Sequence, residues 1–172
     1  STFPEDSNEK GEAFEVFLAE WMFKNHRFLS RRFRKVWRFS DWPRAWSSTD
    51  IGTDLIAEDQ DGKIWAIQAK FYKKDGTIPK RDIDSFLSDT NRAEVDYRLL
   101  IATTDGLGKN ARNAIEGQEK PVHSFTLKDF LETPEWPESL ELLNKFKPRE
   151  PHKALPHQKK AIKDVTKKLE SR

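Results

Sequence analysis

The chain of 172 residues has no cysteine, one methionine, seven glycines and a formal net charge of only +2. Without cysteine there is neither a disulfide framework nor a thiolate metal site, which fits a reducing compartment. No apolar run approaches the roughly 18 residues needed to cross a bilayer, and the acidic opening residues do not resemble a secretory signal. These absences point to a soluble, cytoplasmic protein without a membrane partner. A charged fraction of 35% would suit disorder, but twelve phenylalanines and six tryptophans indicate a packed interior. The length suits one domain with a short appendage.

The small net charge conceals a split. Residues 1–20 hold six acids and one lysine, Lys24 to Arg44 holds eight bases and one acid, and from Lys145 onward ten bases face three acids. Such asymmetry fits a nucleic-acid-facing surface. In the middle block Arg31, Arg32, Arg34, Lys35 and Arg38 interleave with Phe33, Val36, Trp37 and Phe39. The pattern suits phosphate neutralisation with aromatic stacking on bases, and equally a strand with core aromatics and solvated arginines. Lys73, Lys74, Lys80 and Arg81 extend the same basic character.

Periodicity supplies the elements. Asp6 and Glu9 form a capping-box pattern, and Phe14, Phe17, Leu18, Trp21 and Met22 make one apolar stripe, so a helix is expected from about Ser7 to Asn25. Part of residues 26–49 is expected to be a strand. Asp61-Gly62 separates two short runs, Asp54 to Glu58 and Lys63 to Tyr72, as a hairpin. A helix over Lys80 to Arg92, a buried strand over Tyr97 to Thr103, a helix over Lys109 to Gly117, a strand over Val122 to Leu127 and a helical turn follow. This order predicts an α/β fold with a mixed sheet covered by helices on both sides. From Thr133 prolines punctuate a polar stretch, so residues 133–155 are expected to be a linker, and an amphipathic helix is expected near the end.

Chemistry concentrates at Asp54 and the strand Ile64 to Tyr72. Side chains alternate along a strand, so Gln68 and Lys70 share one face while Trp65, Ile67, Ala69 and Phe71 take the other. A hairpin can return Asp54 beside Gln68, gathering a carboxylate, an amide oxygen, the Ala69 carbonyl and an ammonium. Oxygen donors of this kind suit Mg²⁺, which acidifies water and neutralises phosphodiester charge. An ordinary surface strand with a polar face has the same composition. The four histidines lack metal-ligand spacing, and Gly106-Leu-Gly108-Lys109 lacks the spacing of a nucleotide phosphate loop.

Asp50-x-Gly-x-Asp54 followed by Gln68-x-Lys70, with Gly11-Glu-Ala-Phe14-Glu15 before it and Thr103-Thr104 and Lys109-Asn110-Ala111 after it, resembles the Mrr-like branch of the PD-(D/E)xK nucleases. The resemblance covers roughly residues 8–131. It implies a restriction-endonuclease-like mixed β-sheet flanked by helices, occupying residues 1–132, and a Mg²⁺-dependent endonuclease acting on double-stranded DNA. Asp54, Gln68 and the Ala69 carbonyl would ligate the metal, Lys70 would position or activate water, and a glutamate of the first helix would assist. Glu15 borders that helix's apolar stripe and Glu12 points away, which favours Glu15, although a solvated helix-edge acid fits as well. Arg31, Arg32, Arg34, Lys35, Arg38, Lys73 and Lys74 would contact DNA.

More narrowly, Trp37, Asp41-Trp42-Pro43, Gln68 to Tyr72 and Asp82-Ile83-Asp84 resemble the N-terminal nuclease of bacterial Type ISP restriction-modification enzymes. That likeness implies helicase-like, methyltransferase and target-recognition domains in a parent chain. Residues 156–172 would then begin the translocase or form a coupling helix. ATP would be needed only by the full-length protein, and the isolated fragment is expected to be monomeric. The rival readings are a non-catalytic DNA-binding module that keeps the nuclease fold, and an adaptor that docks onto a motor.

Overall fold

The computed structural model describes residues 7–46 and 52–132. The Asp6 cap, Asp50, the linker of 133–155 and the closing helix lie outside the described residues.

The expected first helix is present as α1 (Ser7–Phe17), a π-helical turn (Leu18–Met22) and α2 (Phe23–Asn25). A short α3 (Leu29–Arg32) leads into β1 (Phe33–Arg38), and β2 (Leu55–Asp59) and β3 (Ile64–Lys70) form the expected hairpin. Then come β4 (Thr77–Ile78), α4 (Lys80–Asp89), β5 (Tyr97–Ala102), β6 (Gly106–Leu107), α5 (Lys109–Glu116), β7 (Val122–Phe125) and α6 (Leu127–Leu131). The sequence reading had no counterpart for α3 or for the two-residue parallel pair β4–β6.

The main sheet has the order β1-β2-β3-β5-β7. Pairing is antiparallel from β1 to β3 and parallel from β3 to β7. Because strand residues alternate, each central strand feeds two cores. On one face Leu55, Ala57, Trp65, Ile67, Leu99 and Ile101 pack against Phe14, Phe17, Leu18 and Trp21 of the first helix. On the other, Ile56, Ile64 and Ala66 meet Phe86, while Leu100 and Ala102 meet Ile83, Leu87 and Ala111 of α4 and α5. The result is helix, mixed sheet, helix, as the patterning predicts.

The β2–β3 turn is organised by Asp59, whose carboxylate accepts from the Asp61 and Lys63 amides at 3.0 and 2.9 Å and from Trp65 Nε1 at 3.0 Å. Gly62 takes φ +78°, the left-handed conformation that Asp-Gly turns require. Burial pushes the Asp59 carboxyl up, but the bonds from Trp65, Lys63 and Asp61, with Arg32 nearby, outweigh it and hold the group below its ordinary value. Among the described residues no helix is long and apolar enough to cross a membrane.

Candidate active site

Asp54 immediately precedes β2. Its amide donates to Ile67 O at 3.0 Å and its carbonyl accepts from Phe39 N at 2.9 Å, so backbone on both sides pins it. Leu55 lies opposite Ile67. The regular register ends at that pair, because the Asp54 amide also turns to Ile67 and Asp54 stands as an extra residue at the open end of the hairpin. The Asp54 carboxylate then accepts from Ala69 N at 2.6 Å. An extended residue directs its N–H and C=O to the same strand edge, so the Ala69 carbonyl faces the Asp54 side too. The hairpin thus brings the Asp54 carboxylate to the amide of Ala69, the residue that follows Gln68 in β3.

The approach to Asp54 is held from α4. Thr53 is buried, and its hydroxyl donates to Asp89 Oδ2 at 2.5 Å. Asp89 Oδ1 accepts from Trp46 Nε1 at 2.8 Å. Gly52 has φ +115°, and a Cβ there would meet Phe86 N at 3.2 Å, so this loop needs glycine both for its conformation and for its closeness to the helix.

Gln68 is 2% exposed, and its Oε1 has no hydrogen-bond partner. An orphaned buried carbonyl costs about 1–3 kcal/mol, and such a group calls for a ligand. The combination of one carboxylate, one side-chain amide oxygen and one backbone carbonyl is the hard-oxygen set that Mg²⁺ accepts together with its own waters. Lys70, two residues along the same face and half-buried, has no carboxylate partner among the described residues. Gln68 and Lys70 open into a cleft of about 580 Å³ whose other wall is Asp82, Ser85, Ser88 and Asp89 of α4 with Arg92 just past that helix.

Beyond Lys70 the chain is fastened to the end of β5, with Tyr72 N donating to Thr103 Oγ1 at 2.8 Å and Thr103 Oγ1 donating to Tyr72 O at 2.7 Å. Tyr72 OH donates to Asp82 Oδ2 at 2.5 Å. Burial, and then the bond to the Asp82 carboxylate, push the Tyr72 phenol up to about 12. Lys73 and Lys74 follow, exposed at the cleft's end of the sheet.

The other expected site residues fall elsewhere. Glu15 lies on α1, the helix covering the opposite face of the sheet, and pairs with Arg38 at 3.9 Å, with Glu12 also 3.8 Å from that arginine. Among the described residues no group of three Asp, Glu, His or Cys side chains is assembled for a metal. The arginine-rich stretch divides. Two antiparallel steps make β1 run in the direction of β3, so Arg31 and Arg32 stand at the hairpin end, since Phe33 lies opposite Asp59. Six residue steps separate Ile64 from Lys70, so about 20 Å of strand lies between that end and the cleft. There Arg32 pairs with Asp59 at 3.5 Å and covers the Trp65 ring at 5.2 Å. Arg34 pairs with Glu58, and Lys35 lies over Trp37 at 6.0 Å. Only Arg38, at the end of β1, shares the Asp54 end of the sheet. Asp89, Thr53 and Arg92 were missed by sequence reasoning. Their one signal is the helical recurrence of Asp82, Ser85 and Asp89 on α4, continued by Arg92 just past its end, which reads as a solvated face.

Residues 24–141 match a family model described as restriction endonuclease, of the Mrr catalytic type. No curated protein sequence matches the chain. Among solved structures, the ATP-dependent Type ISP restriction-modification enzyme LlaBIII bound to DNA is similar over 96% of this chain, with 26% identity and a TM-score of 0.72. The chain covers 11% of that enzyme's length. The MspJI restriction endonuclease in complex with a 27-mer oligonucleotide is similar over 68% of this chain and 26% of its own, at 16% identity and a TM-score of 0.42. A repair endonuclease from Pyrococcus abyssi is similar over 73% of this chain and 49% of its own, at 20% identity and a TM-score of 0.39. With the family model spanning more than half of its length, the chain belongs to the Mrr-type restriction endonuclease family.

Proposed function

We propose that this chain is the Mg²⁺-dependent DNA endonuclease domain of a bacterial, cytoplasmic restriction enzyme in which an ATP-driven translocase, a methyltransferase and a target-recognition domain follow it. The observation that carries the reading is the Asp54–Ala69 bond of 2.6 Å, which holds a carboxylate at the residue following Gln68, whose buried Oε1 has no protein partner. Asp54, Gln68 and the Ala69 carbonyl would hold the ion. Bound there, Mg²⁺ supplies charge neutralisation at the phosphodiester and acidifies water. Lys70 projects from the same strand face into the cleft, where its ammonium orients the attacking water and offsets charge gathering on the phosphate oxygens. Asp54 fixes the end of β3 through Ala69 N, so the donor atoms keep their spacing without rearrangement. Glu15 and Arg38 would support the Asp54 end from beyond the sheet. Coupling to a translocase is supported by the likeness to the Type ISP enzyme, of which this chain covers 11%.

The test compares the parent with Asp54→Ala and Lys70→Ala on supercoiled plasmid, with Mg²⁺ and with chelator, in the fragment and in the longer protein with ATP. Each variant should lose metal-dependent nicking by at least 100-fold while keeping its melting temperature within a few degrees. A variant that nicks as fast as the parent overturns the assignment. Salt-sensitive DNA binding without a Mg²⁺ site by calorimetry would instead select the non-catalytic DNA-binding module.

A further inference from the structure

The basic stretch conspicuous in the sequence stands mostly at the wrong end of the sheet to grip a strand at the cleft, so the cleft needs cations of its own. Arg92 fits that need. It lies three residues past α4, on the wall of the cleft that Gln68 and Lys70 enter. Its Nε donates to Asp89 O at 2.9 Å, and its guanidinium lies 5.2 Å over the Trp46 ring. Those two contacts fix the plane of the group. The terminal nitrogens make no hydrogen bond or ion pair among the described residues, so this cleft-lining side chain keeps a fork of donors unengaged. Ser85 and Ser88, at helical spacing on the same wall, are small enough for close approach of a backbone, with the Ser85 hydroxyl donating to Arg81 O at 3.3 Å and free to accept.

We propose that Arg92, flanked by Ser85 and Ser88, is a phosphate-binding residue that seats the DNA strand in the cleft facing Lys70. A planar guanidinium held by a stacked ring and one backbone bond suits bidentate contact with phosphate oxygens. The arrangement explains why a carboxylate as buried as Asp89 is retained in α4. It holds Trp46, the ring on which Arg92 lies, and Thr53, the neighbour of Asp54. The proposal rests on the nuclease reading for the identity of the cleft.

The experiment measures the affinity of the fragment for a duplex oligonucleotide by fluorescence anisotropy, in chelator, across a salt series. Parent, Arg92→Ala, Arg92→Lys and Lys63→Ala are compared. Lys63 is the charge-matched control, because it pairs with Asp96 at 3.0 Å at the hairpin end. Arg92→Ala should weaken binding on the order of 3- to 10-fold and lower the slope of log K against log salt by about 0.9, the loss of one phosphate contact. Arg92→Lys should keep the slope while recovering part of the affinity, and Lys63→Ala should match the parent. If the Ala variant melts early, Arg92→Gln takes its place. A parent that binds DNA while Arg92→Ala leaves affinity and slope unchanged overturns this proposal alone, as does an equal loss in Lys63→Ala. A parent that binds no DNA overturns it together with the nuclease reading.

Discussion

Gln68→Glu places a second carboxylate beside the residue that holds Asp54, and its cost can be worked from that closeness. The Asp54 carboxylate accepts from the amide of Ala69, the residue next to position 68. With an effective dielectric near 20, two carboxylates repel with about 4 kcal/mol at 4 Å and about 2 kcal/mol at 8 Å. Gln68 is 2% exposed, so water relieves little of this, although side-chain relaxation relieves some. The expected loss without metal at neutral pH is about 2–4 kcal/mol, a fall in melting temperature on the order of 10 °C. The added charge raises affinity for Mg²⁺, and an ion at 100 times its Kd restores about 2.7 kcal/mol. The variant should therefore gain far more from millimolar Mg²⁺ than the parent. Protonating either carboxyl removes the repulsion, so the chelator-phase deficit should shrink as pH falls towards about 4. The assay is thermal unfolding followed by circular dichroism, with chelator and with Mg²⁺, at several pH values. If Gln68→Glu melts with the parent in chelator, residue 68 and Asp54 do not share a site. A deficit that Mg²⁺ repairs no better than it helps the parent would show that they do not share an ion.

Three further substitutions address the frame of the site. Asp59→Asn should cost about 2–4 kcal/mol in urea unfolding, because it weakens the bonds to two backbone amides and Trp65. The Asp59 carboxyl is held below its ordinary value in the fold, so its contribution is present above about pH 4 and lost as pH falls through the lowered value. The variant should accordingly show a shallower acid limb. Gly106→Ala would place a Cβ 2.0 Å from Gly76 O, a backbone clash that only separation of β4 from β6 can relieve. A loss of about 1–3 kcal/mol, with faster amide exchange at residues 77–78, is expected. Asp89→Ala strands the buried Thr53 hydroxyl and Trp46 Nε1, and should cost about 2–4 kcal/mol in the same urea assay. It should also raise Trp46 accessibility to a fluorescence quencher, and unchanged quenching would refute its place in the clamp.

Much of this architecture was legible because it is written in local periods. Alternation along Ile64 to Phe71 assigned Gln68 and Lys70 to one face, and Asp61-Gly62 fixed the turn that makes Asp54 their neighbour. What was not legible depends on contacts distant in sequence. The apolar run at Leu99 to Ala102 marked a buried strand, yet Arg98 beside it is 1% exposed. Its guanidinium donates to Thr90 Oγ1 at 2.7 Å, Leu87 O at 3.2 Å and Lys120 O at 3.2 Å. Burial pulls its pKa down, and neutral oxygens from the end of α4 and from the approach to β7 take the place of an acid. Nothing near Arg98 in sequence announces those partners. The same holds for Arg31 and Arg32, whose local charge suggested a DNA surface. Which end of the sheet they occupy is set by two successive antiparallel pairings.

The position of the site follows from how the sheet is built. At β3 the pairing changes from antiparallel with β2 to parallel with β5. The hairpin strand β2 begins at Leu55, opposite Ile67, whereas the parallel pair runs on to Lys70 opposite Ala102. The last residues of β3 are therefore supported by β5 but overrun β2. The Ala69 amide, directed at that side, meets the Asp54 carboxylate instead of a strand carbonyl. A longer β2 would fill the gap with a ladder bond and leave Asp54 with no amide to hold it. A shift of one residue would turn Gln68 and Lys70 towards α1 and bury the ammonium against Phe14 and Phe17. The functional reading thus depends on strand register as much as on residue identity. A one-residue insertion in the Asp61-Gly62 turn, which lengthens the hairpin without altering its register at Asp59, should leave Mg²⁺ binding intact. A one-residue deletion between Leu55 and Asp59, which withdraws the Asp54 carboxylate from the Ala69 amide, should abolish it.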